Sequence, residues 1–311
     1  MPDICDYENS TYRTEFWENR GRDYEDRTER IAVKGLLPRG ERLLELGAGF
    51  GRMADLYKDY KKVVLVDFSH SQLEYARDHY GPDKFIYVAA DIYHLPFAPA
   101  QFDTITMVRT LHHMDDPLSA LKQVRASIRS GGDFILEFTS KRNLRSIVRW
   151  SLRHWYKSKV VMSNPFSKEP VKFYDLYYGF HPSFVHDLLV QAHFAPGRRK
   201  AVSYFRLKFL KRVIPLRILV GLDAILQPTG NIYPISPSVF VRSEAVGQDE
   251  PNPTGKFWRC PTCRGFDLTE QPGELYCPNC QTHWPVENGI YDFRPAADSS
   301  KRVSVKEIRG W

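Results

Sequence analysis

The 311-residue chain has no run approaching the roughly 18 consecutive apolar residues of a membrane-spanning helix. Its opening, MPDICDYENS, lacks the basic and apolar regions of a secretory leader, so a cytoplasmic protein is expected. Cysteine is scarce. Of five, only Cys5 lies outside two CxxC pairs, a pattern that favours a metal over disulfides. Acid is nearly missing from two stretches: residues 141–172 carry nine Lys/Arg against Glu169 alone, and residues 197–217 carry eight Lys/Arg and no acid. These stretches hold 17 of the 44 basic residues and one of the 37 acidic ones, so the net charge of +7 hides two basic patches on an acidic body. That asymmetry points to an anionic partner.

Otherwise the composition is that of an ordinary globular protein, and the length fits two units. From Arg42 to Phe138, apolar β-branched runs (RLLEL, KVVLVD, FIYVAAD, FDTITMV, DFILEF) alternate with helical stretches near Arg52–Tyr60, Ser69–Tyr80 and Pro117–Ser130. This alternation predicts an α/β fold with a mostly parallel sheet covered on both faces. GFHPSFVHDLLVQAHF reads as a further helix, and RKAVSYFR and PSVFVR as two late strands, the last antiparallel. The expected organisation is a domain over 1–245, a linker over 246–255, a compact unit over 256–296 and a flexible tail over 297–311.

The strongest local signal is LLELGAGFGR, residues 43–52. Glycines at a strand-to-helix turn let backbone approach a ligand without an intervening Cβ. A dinucleotide fingerprint needs a third Gly or Ala where Arg52 stands, so pyrophosphate binding is the poorer reading. Asp67 ends the next strand, placed to accept from both hydroxyls of a ribose, and Phe68 follows to lie against a base. Asp91 and Ile92 end the third strand. For Asp91, a helix cap and a contact to an adenine amino group are both open readings.

With FDTITMVRTLHHMDDP and GGDFILEF added, residues 40–140 resemble class I methyltransferases, in particular the type 11 methyltransferase family. The resemblance implies a Rossmann-like fold with S-adenosylmethionine as cofactor, lined by Glu45, Gly47, Gly49, Asp67, Phe68, Asp91, Ile92 and Arg109. Glu45 would position the amino-acid end. Arg109 departs from the small or apolar residue often found at its position. The N-terminal FWENRGRDYEDR is expected to fold over the cofactor, with Tyr24 either a contact or structural.

Methyl transfer asks the protein mainly for proximity and orientation, with a base where the acceptor is a hydroxyl or protonated amine. Fourth-strand Asn/Asp-Pro-Pro-Tyr motifs, which hold an amino or amide nitrogen, are absent; Val108-Arg109-Thr110-Leu111 stands there instead. Carbon methylation through a covalent adduct needs a placed cysteine, and Cys5 is expected near an unstructured terminus. His112 and His113 follow the fourth strand, each readable as a base or as packing.

Cys260, Cys263, Cys277 and Cys280 form two knuckles thirteen residues apart, the pattern of a structural zinc ribbon with no open coordination position. The following WPVENGIYDF resembles the end of small zinc-ribbon activator subunits of methyltransferases, which leaves a protein partner open. Both basic segments, within 141–179 and 206–235, leave carboxyl ends of strands and so fall on the catalytic face. Leu144, Ile147, Val148, Ser151, Leu152 and Trp155 form one helical stripe; Arg145, Arg149, Arg153 and Lys157 form another. Two readings stand: a lid with a solvated basic side, or a site for phosphates of RNA, a lipid-linked or small-molecule acceptor, or a membrane surface. The rival to an enzyme is a non-catalytic S-adenosylmethionine-binding scaffold whose ribbon recruits a partner.

Overall fold

The computed structural model describes residues 2–18, 21–156, 163–174, 176–253, 255–295 and 302–304. In chain order, β1 (Ile4–Asp6) and a π-helical turn at Tyr12–Glu18 precede α1 (Asp23–Lys34). Then come β2 (Arg42–Leu46), β3 (Lys62–Asp67), α2 (His70–Tyr80), β4 (Ile86–Ala89), β5 (Phe102–Met107), α3 (Pro117–Ser127) and β6 (Ile128–Thr139). They are followed by α4 (Leu144–Tyr156), β7 (Val171–Tyr174), β8 (Tyr177–Gly179), α5 (Pro182–Gln191) and β9 (Phe194–Val202). α6 (Lys208–Val213), α7 (Leu216–Leu226) and β10 (Ser238–Ala245) complete this part. The ribbon adds β11 (Thr269–Gln271), β12 (Glu274–Cys277), β13 (Thr282–Glu287) and β14 (Ile290–Asp292), and β15 (Arg302–Ser304) pairs with β1.

The main sheet runs β11-β12-β13-β14-β4-β3-β2-β5-β6-β10-β9. β4, β3, β2, β5 and β6 are parallel, and β10 returns antiparallel between β6 and β9. This is the Rossmann-like arrangement expected from the alternating pattern. β2 and β3 bury nearly every residue because helices cover both faces. α3 starts where it does because Asp116 accepts from Ser119 N at 3.1 Å and Pro117 occupies the first turn.

The helix expected near Arg52–Tyr60 is only a 3-10 turn at Ala54–Tyr57. Gly47, Gly49 and Gly51 all have positive φ, which delays any helix start. Arg52, Tyr57 and Tyr60 then turn away to partners on α1, β5 and the Pro38 carbonyl.

The ribbon shares the sheet and its core. β14 pairs in parallel with β4, matching Ile290 to Tyr87 and Asp292 to Ala89. Phe97 stacks on Trp258 at 5.7 Å, and Trp258 meets Phe293 at 5.2 Å. Ala98 N donates to Phe257 O and Arg259 N to Pro96 O, each at 2.9 Å. The start of the expected linker is held as well. Arg125 reaches the Val246 carbonyl at 3.0 Å and Asp249 at 3.1 Å, and Ser130 Oγ donates to Gly247 O at 2.8 Å. Apolar residues at 257, 258, 284 and 293 need cover that a forty-residue unit cannot supply, and the free edge of β4 supplies it. The expected flexible tail, apart from β15, lies outside the described residues.

Candidate active site

The carboxyl ends of β2, β3 and β4 open into a solvent-accessible cleft. At the β2 turn a Cβ on Gly47 would lie 2.1 Å from Thr110 Oγ1, so only glycine fits. Gly49, with φ +53°, donates its N–H to Asp67 Oδ2 at 2.7 Å, and Ser69 N donates to Oδ1 at 2.9 Å. Each Asp67 oxygen thus spends one lone pair fixing the two turns and keeps another. Burial pushes the Asp67 carboxyl up to about 6 despite those donors.

Glu45 lies in the cleft wall, 3% exposed, and its Oε2 has no hydrogen-bond partner. Burial lifts this carboxyl to about 8, opposed by the Tyr57 hydroxyl and the Arg52 charge. A lone buried carboxylate oxygen costs free energy unless a donor meets it, and a cationic ammonium is the fitting donor. Asp91 makes the cap: Oδ1 accepts from Tyr93 N (2.9 Å), while Oδ2 meets His94 Nδ1 (2.8 Å) and the residue lines the cleft. Phe68 and Ile92 line it too.

The far wall comes from the N-terminus, where Tyr7, Tyr12 and Trp17 reach the cleft. Contrary to the expectation of an unstructured terminus, Cys5 sits in β1 and lines the cleft, its thiol pushed up to about 12 by burial. A thiol so held is protonated and a poor nucleophile. The segment is ordered because Glu8 accepts from His70 N (2.8 Å) and Ser71 N (3.0 Å) at the start of α2. Tyr24 is structural. Its hydroxyl donates to Asp223 at 2.6 Å and accepts from Phe205 N at 2.9 Å, which holds α7 to α1.

The two histidines part company. His113 lines the cleft, with Nδ1 2.8 Å from Leu176 O and Nε2 2.9 Å from the Tyr7 hydroxyl. A carbonyl needs a donor, so Nδ1 carries the hydrogen and Nε2 accepts from Tyr7. Burial, with the charge of Arg109 beside it, pulls His113 down to about 4, so the ring is neutral. His112 does not line the cleft: its ring lies against His113 (4.2 Å) and Tyr177 (4.7 Å), 3% exposed. The 3-10 turn at Leu111–His113 points consecutive side chains in different directions, so one imidazole faces in.

Arg109 lines the cleft, but its guanidinium is committed to Glu29 at 2.9 Å. Glu29 also meets Arg52 at 2.7 Å and Arg206 at 3.7 Å. Burial alone would raise the Glu29 carboxyl, yet Arg109 and Arg52 hold it down to about 2. This knot ties α1, the β2 turn, the end of β5 and the second basic segment together.

Residues 44–136 match the family described as methyltransferase domain. This stretch of the chain is thus similar to a methyltransferase domain. It is 30% identical over 136 residues to the 27-O-demethylrifamycin SV methyltransferase of Amycolatopsis mediterranei, covering 39% of this chain and 50% of that protein. It is 36% identical over 112 residues to the demethylmenaquinone methyltransferase of Chlamydia trachomatis, covering 35% and 49%. The chain thus spans about half the length of these curated relatives. Among solved structures, a methyltransferase from Thermotoga maritima aligns with a TM-score of 0.53 at 22% identity, over 75% of this chain and 98% of that one. A chain of the Haloferax volcanii complex between the Trm112 methyltransferase activator and a methyltransferase aligns at 0.50 and 14%, over 76% and 98%. These two likenesses concern the fold.

The methyltransferase domain fits S-adenosylmethionine on its own geometry. The unpartnered Glu45 oxygen stands at the end suited to an ammonium, the Gly47 turn admits backbone contact, and Asp67 retains acceptor capacity. Beyond the cleft, the ligand atoms of Cys260, Cys263, Cys277 and Cys280 all lie within 4.8 Å of one another. Sγ separations of 3.6 Å (Cys260–Cys280) and 3.5 Å (Cys263–Cys277) compare with about 3.8 Å for the edge of a tetrahedron with metal–sulfur bonds of about 2.3 Å. Sequence reasoning missed Tyr7, Glu29 and Arg294. Arg294 reaches Glu8 at 3.2 Å and the Phe68 carbonyl at 3.4 Å, joining the ribbon to the cleft. None of the three lies in a motif, and only tertiary contact reveals them.

Proposed function

We propose that this protein transfers the methyl group of S-adenosylmethionine to an acceptor that docks at the Tyr7–His113 corner of the cleft. The observation that carries the reading is the buried Glu45 oxygen without a partner, facing the cleft beside the glycine turn and Asp67. Glu45, the Gly47–Gly49 backbone, Asp67, Phe68, Asp91 and Ile92 would hold the cofactor, which supplies an activated methyl and its own leaving group. The chain's part is orientation, exclusion of water and custody of a proton. His113 Nε2 is the proton acceptor of this corner, with Tyr7 between it and the acceptor and Leu176 O fixing the tautomer. His112 stays outside this role because it is walled off. Arg109 acts through Glu29, shaping the cleft floor.

Zinc at the four cysteines fits the same reading as a structural ion, since four thiolates leave no open position. Free cysteines poised for metal support a reducing, cytoplasmic compartment. Among the described residues no helix is long and apolar enough to cross a membrane. The basic segments support an anionic acceptor or surface. With β14 paired to its own domain, the ribbon's docking edge is already taken, which favours an enzyme over a scaffold that recruits through that edge.

The decisive experiment is titration calorimetry with S-adenosylmethionine, followed by labelled methyl transfer into separated RNA, lipid and metabolite pools. Cofactor binding with label in one pool is the expected result. Tight cofactor binding with no label in any pool would favour the scaffold.

A further inference from the structure

Three members of the apolar stripe on α4 face solvent. Leu144, Val148 and Leu152 are 55%, 47% and 46% exposed, beside the adjoining stripe of exposed Arg145 and Arg149. The second insertion repeats the pattern. On α6, Phe209 and Val213 are 71% and 62% exposed, beside exposed Lys208 and Arg212. On α7 the outward positions are Ile218, Leu222 and Ile225, the last 75% exposed, with Arg217 among them. Ile232, 87% exposed, ends the run. The two insertions touch: Leu144 N donates to Ile235 O at 2.8 Å, and the Arg142 guanidinium lies 4.2 Å from the Tyr233 ring centroid. Lys157 lies outside the described residues.

So many exposed aliphatic side chains on neighbouring helices are not ordinary surface. The charge beside them has one sign. From Leu144 to Tyr156 there is no acid, and from Arg206 to Ile235 only Asp223, which is buried and bonded to Tyr24 and Tyr204 N.

We propose that this surface docks on an anionic lipid bilayer, with the aliphatic side chains entering the interface and the Lys/Arg meeting lipid phosphates. Aliphatic residues interleaved with basic ones on short helices are what such a boundary accommodates. RNA fits less well, because it is held by stacking aromatics and polar contacts, and the Ile, Leu and Val that outnumber Phe209 and Tyr233 on this surface contribute neither. A second copy fits less well, because a two-fold interface would set like charges against each other. The surface continues into the acceptor side of the cleft. The first insertion carries Leu176, bonded to His113, and the second begins at Arg206, beside Glu29. Docking therefore deepens the proposed reading by presenting that side of the cleft to a lipid-borne acceptor, but its test reads binding alone.

The full chain would be co-sedimented with vesicles of phosphatidylcholine alone and of phosphatidylcholine mixed with phosphatidylglycerol. Binding to the mixed vesicles is expected, weakening as salt rises, with little binding to the neutral ones. Ile225→Asp and Phe209→Asp, both at exposed positions, should each lower that binding about tenfold or more. Arg145→Gln with Arg149→Gln should lower it and flatten its salt dependence. Unchanged cofactor affinity and circular dichroism in these variants would show that the fold is intact. Absence of vesicle binding, or equal binding to both vesicle types, overturns the proposal. So does a concentration-dependent dimer that Ile225→Asp abolishes, or binding of a uridine homopolymer RNA that only the arginine changes weaken.

Discussion

The cofactor side of the cleft and the acceptor side are built on opposite terms. On the side proposed for the cofactor each of three carboxylates has an assigned place: Asp67 between two backbone N–H groups, Glu29 among three guanidiniums, Glu45 held ready with one oxygen unmet. On the acceptor side the insertions turn charge and hydrocarbon alike to the outside. The first arrangement suits one ligand of fixed shape, since a preorganised buried polar site rejects what does not complete it. The second suits a broad surface without a fixed shape. The difference teaches that one sheet end can carry both a closed polar site, set by internal geometry, and an open surface, set by what covers the strands' carboxyl ends.

The largest effect on this contrast is expected from the ribbon. One zinc per chain should be found by elemental analysis, and its removal should unfold the ribbon, because structural zinc contributes on the order of 10 kcal/mol to such units. Hydrogen exchange at β4 should then rise, since β14 covers its edge. An unchanged exchange pattern in metal-free protein would separate the ribbon from the sheet.

Next comes the Glu29 knot. Glu29→Ala leaves Arg109, Arg52 and Arg206 facing one another without their anion. A loss of about 3–5 kcal/mol is expected in urea unfolding. A loss below about 1 kcal/mol would make the knot an ordinary surface cluster.

Glu45 sharpens the comparison through pH. Its carboxyl is raised from 4.5 to about 8 in the folded protein, so it favours the fold when protonated. That stabilisation is full below pH 4.5 and is lost as pH rises toward 8. An ammonium placed against Glu45 favours the ionised form, so binding releases a proton in this window. Cofactor affinity should therefore tighten with rising pH, at most about tenfold per unit. The trend should stop near pH 8, where an α-amino group itself loses its proton. Glu45→Gln should bind more weakly with a flat profile, and calorimetry across the pH range decides it.

Asp67→Ala should cost about 1–3 kcal/mol of cofactor affinity through lost charge-assisted hydrogen bonds. Unchanged calorimetric affinity would remove the ribose assignment. Arg294→Ala should have the smallest effect, about 0.5–1 kcal/mol in cofactor affinity with little change in stability, because the residue ties the ribbon to Glu8 and Phe68. No change would show that the ribbon supports the sheet without steadying the cleft.

The parallel strands were readable in advance because KVVLVD and its neighbours are buried on both faces and must be apolar throughout. The meeting of Glu45, Asp67 and Asp91 at one cleft was readable because a parallel sheet puts them at successive strand ends, at positions set by chain order alone. The cysteine cluster was readable because each CxxC is a local geometry. Elsewhere local pattern was insufficient. LHH cannot tell which imidazole faces the cleft, since a 3-10 turn and the approach of Tyr7 and Tyr177 decide it. That Tyr24 is structural and that Cys5 lies at the cleft was not legible, because the contacts from Asp223 and β15 come from far along the chain. The helical period of α4 gives two stripes but not which one faces inward, because amphipathicity fixes relative direction and only packing fixes the absolute one. The sequence by itself thus determined the sheet, the lining at the ends of β2, β3 and β4 and the cluster of four cysteines, which depend on period and spacing. Tertiary structure alone decided the ribbon's seat on β4, the Tyr7–His113 pair and the outward turn of the insertions, because each depends on burial between segments far apart in the chain.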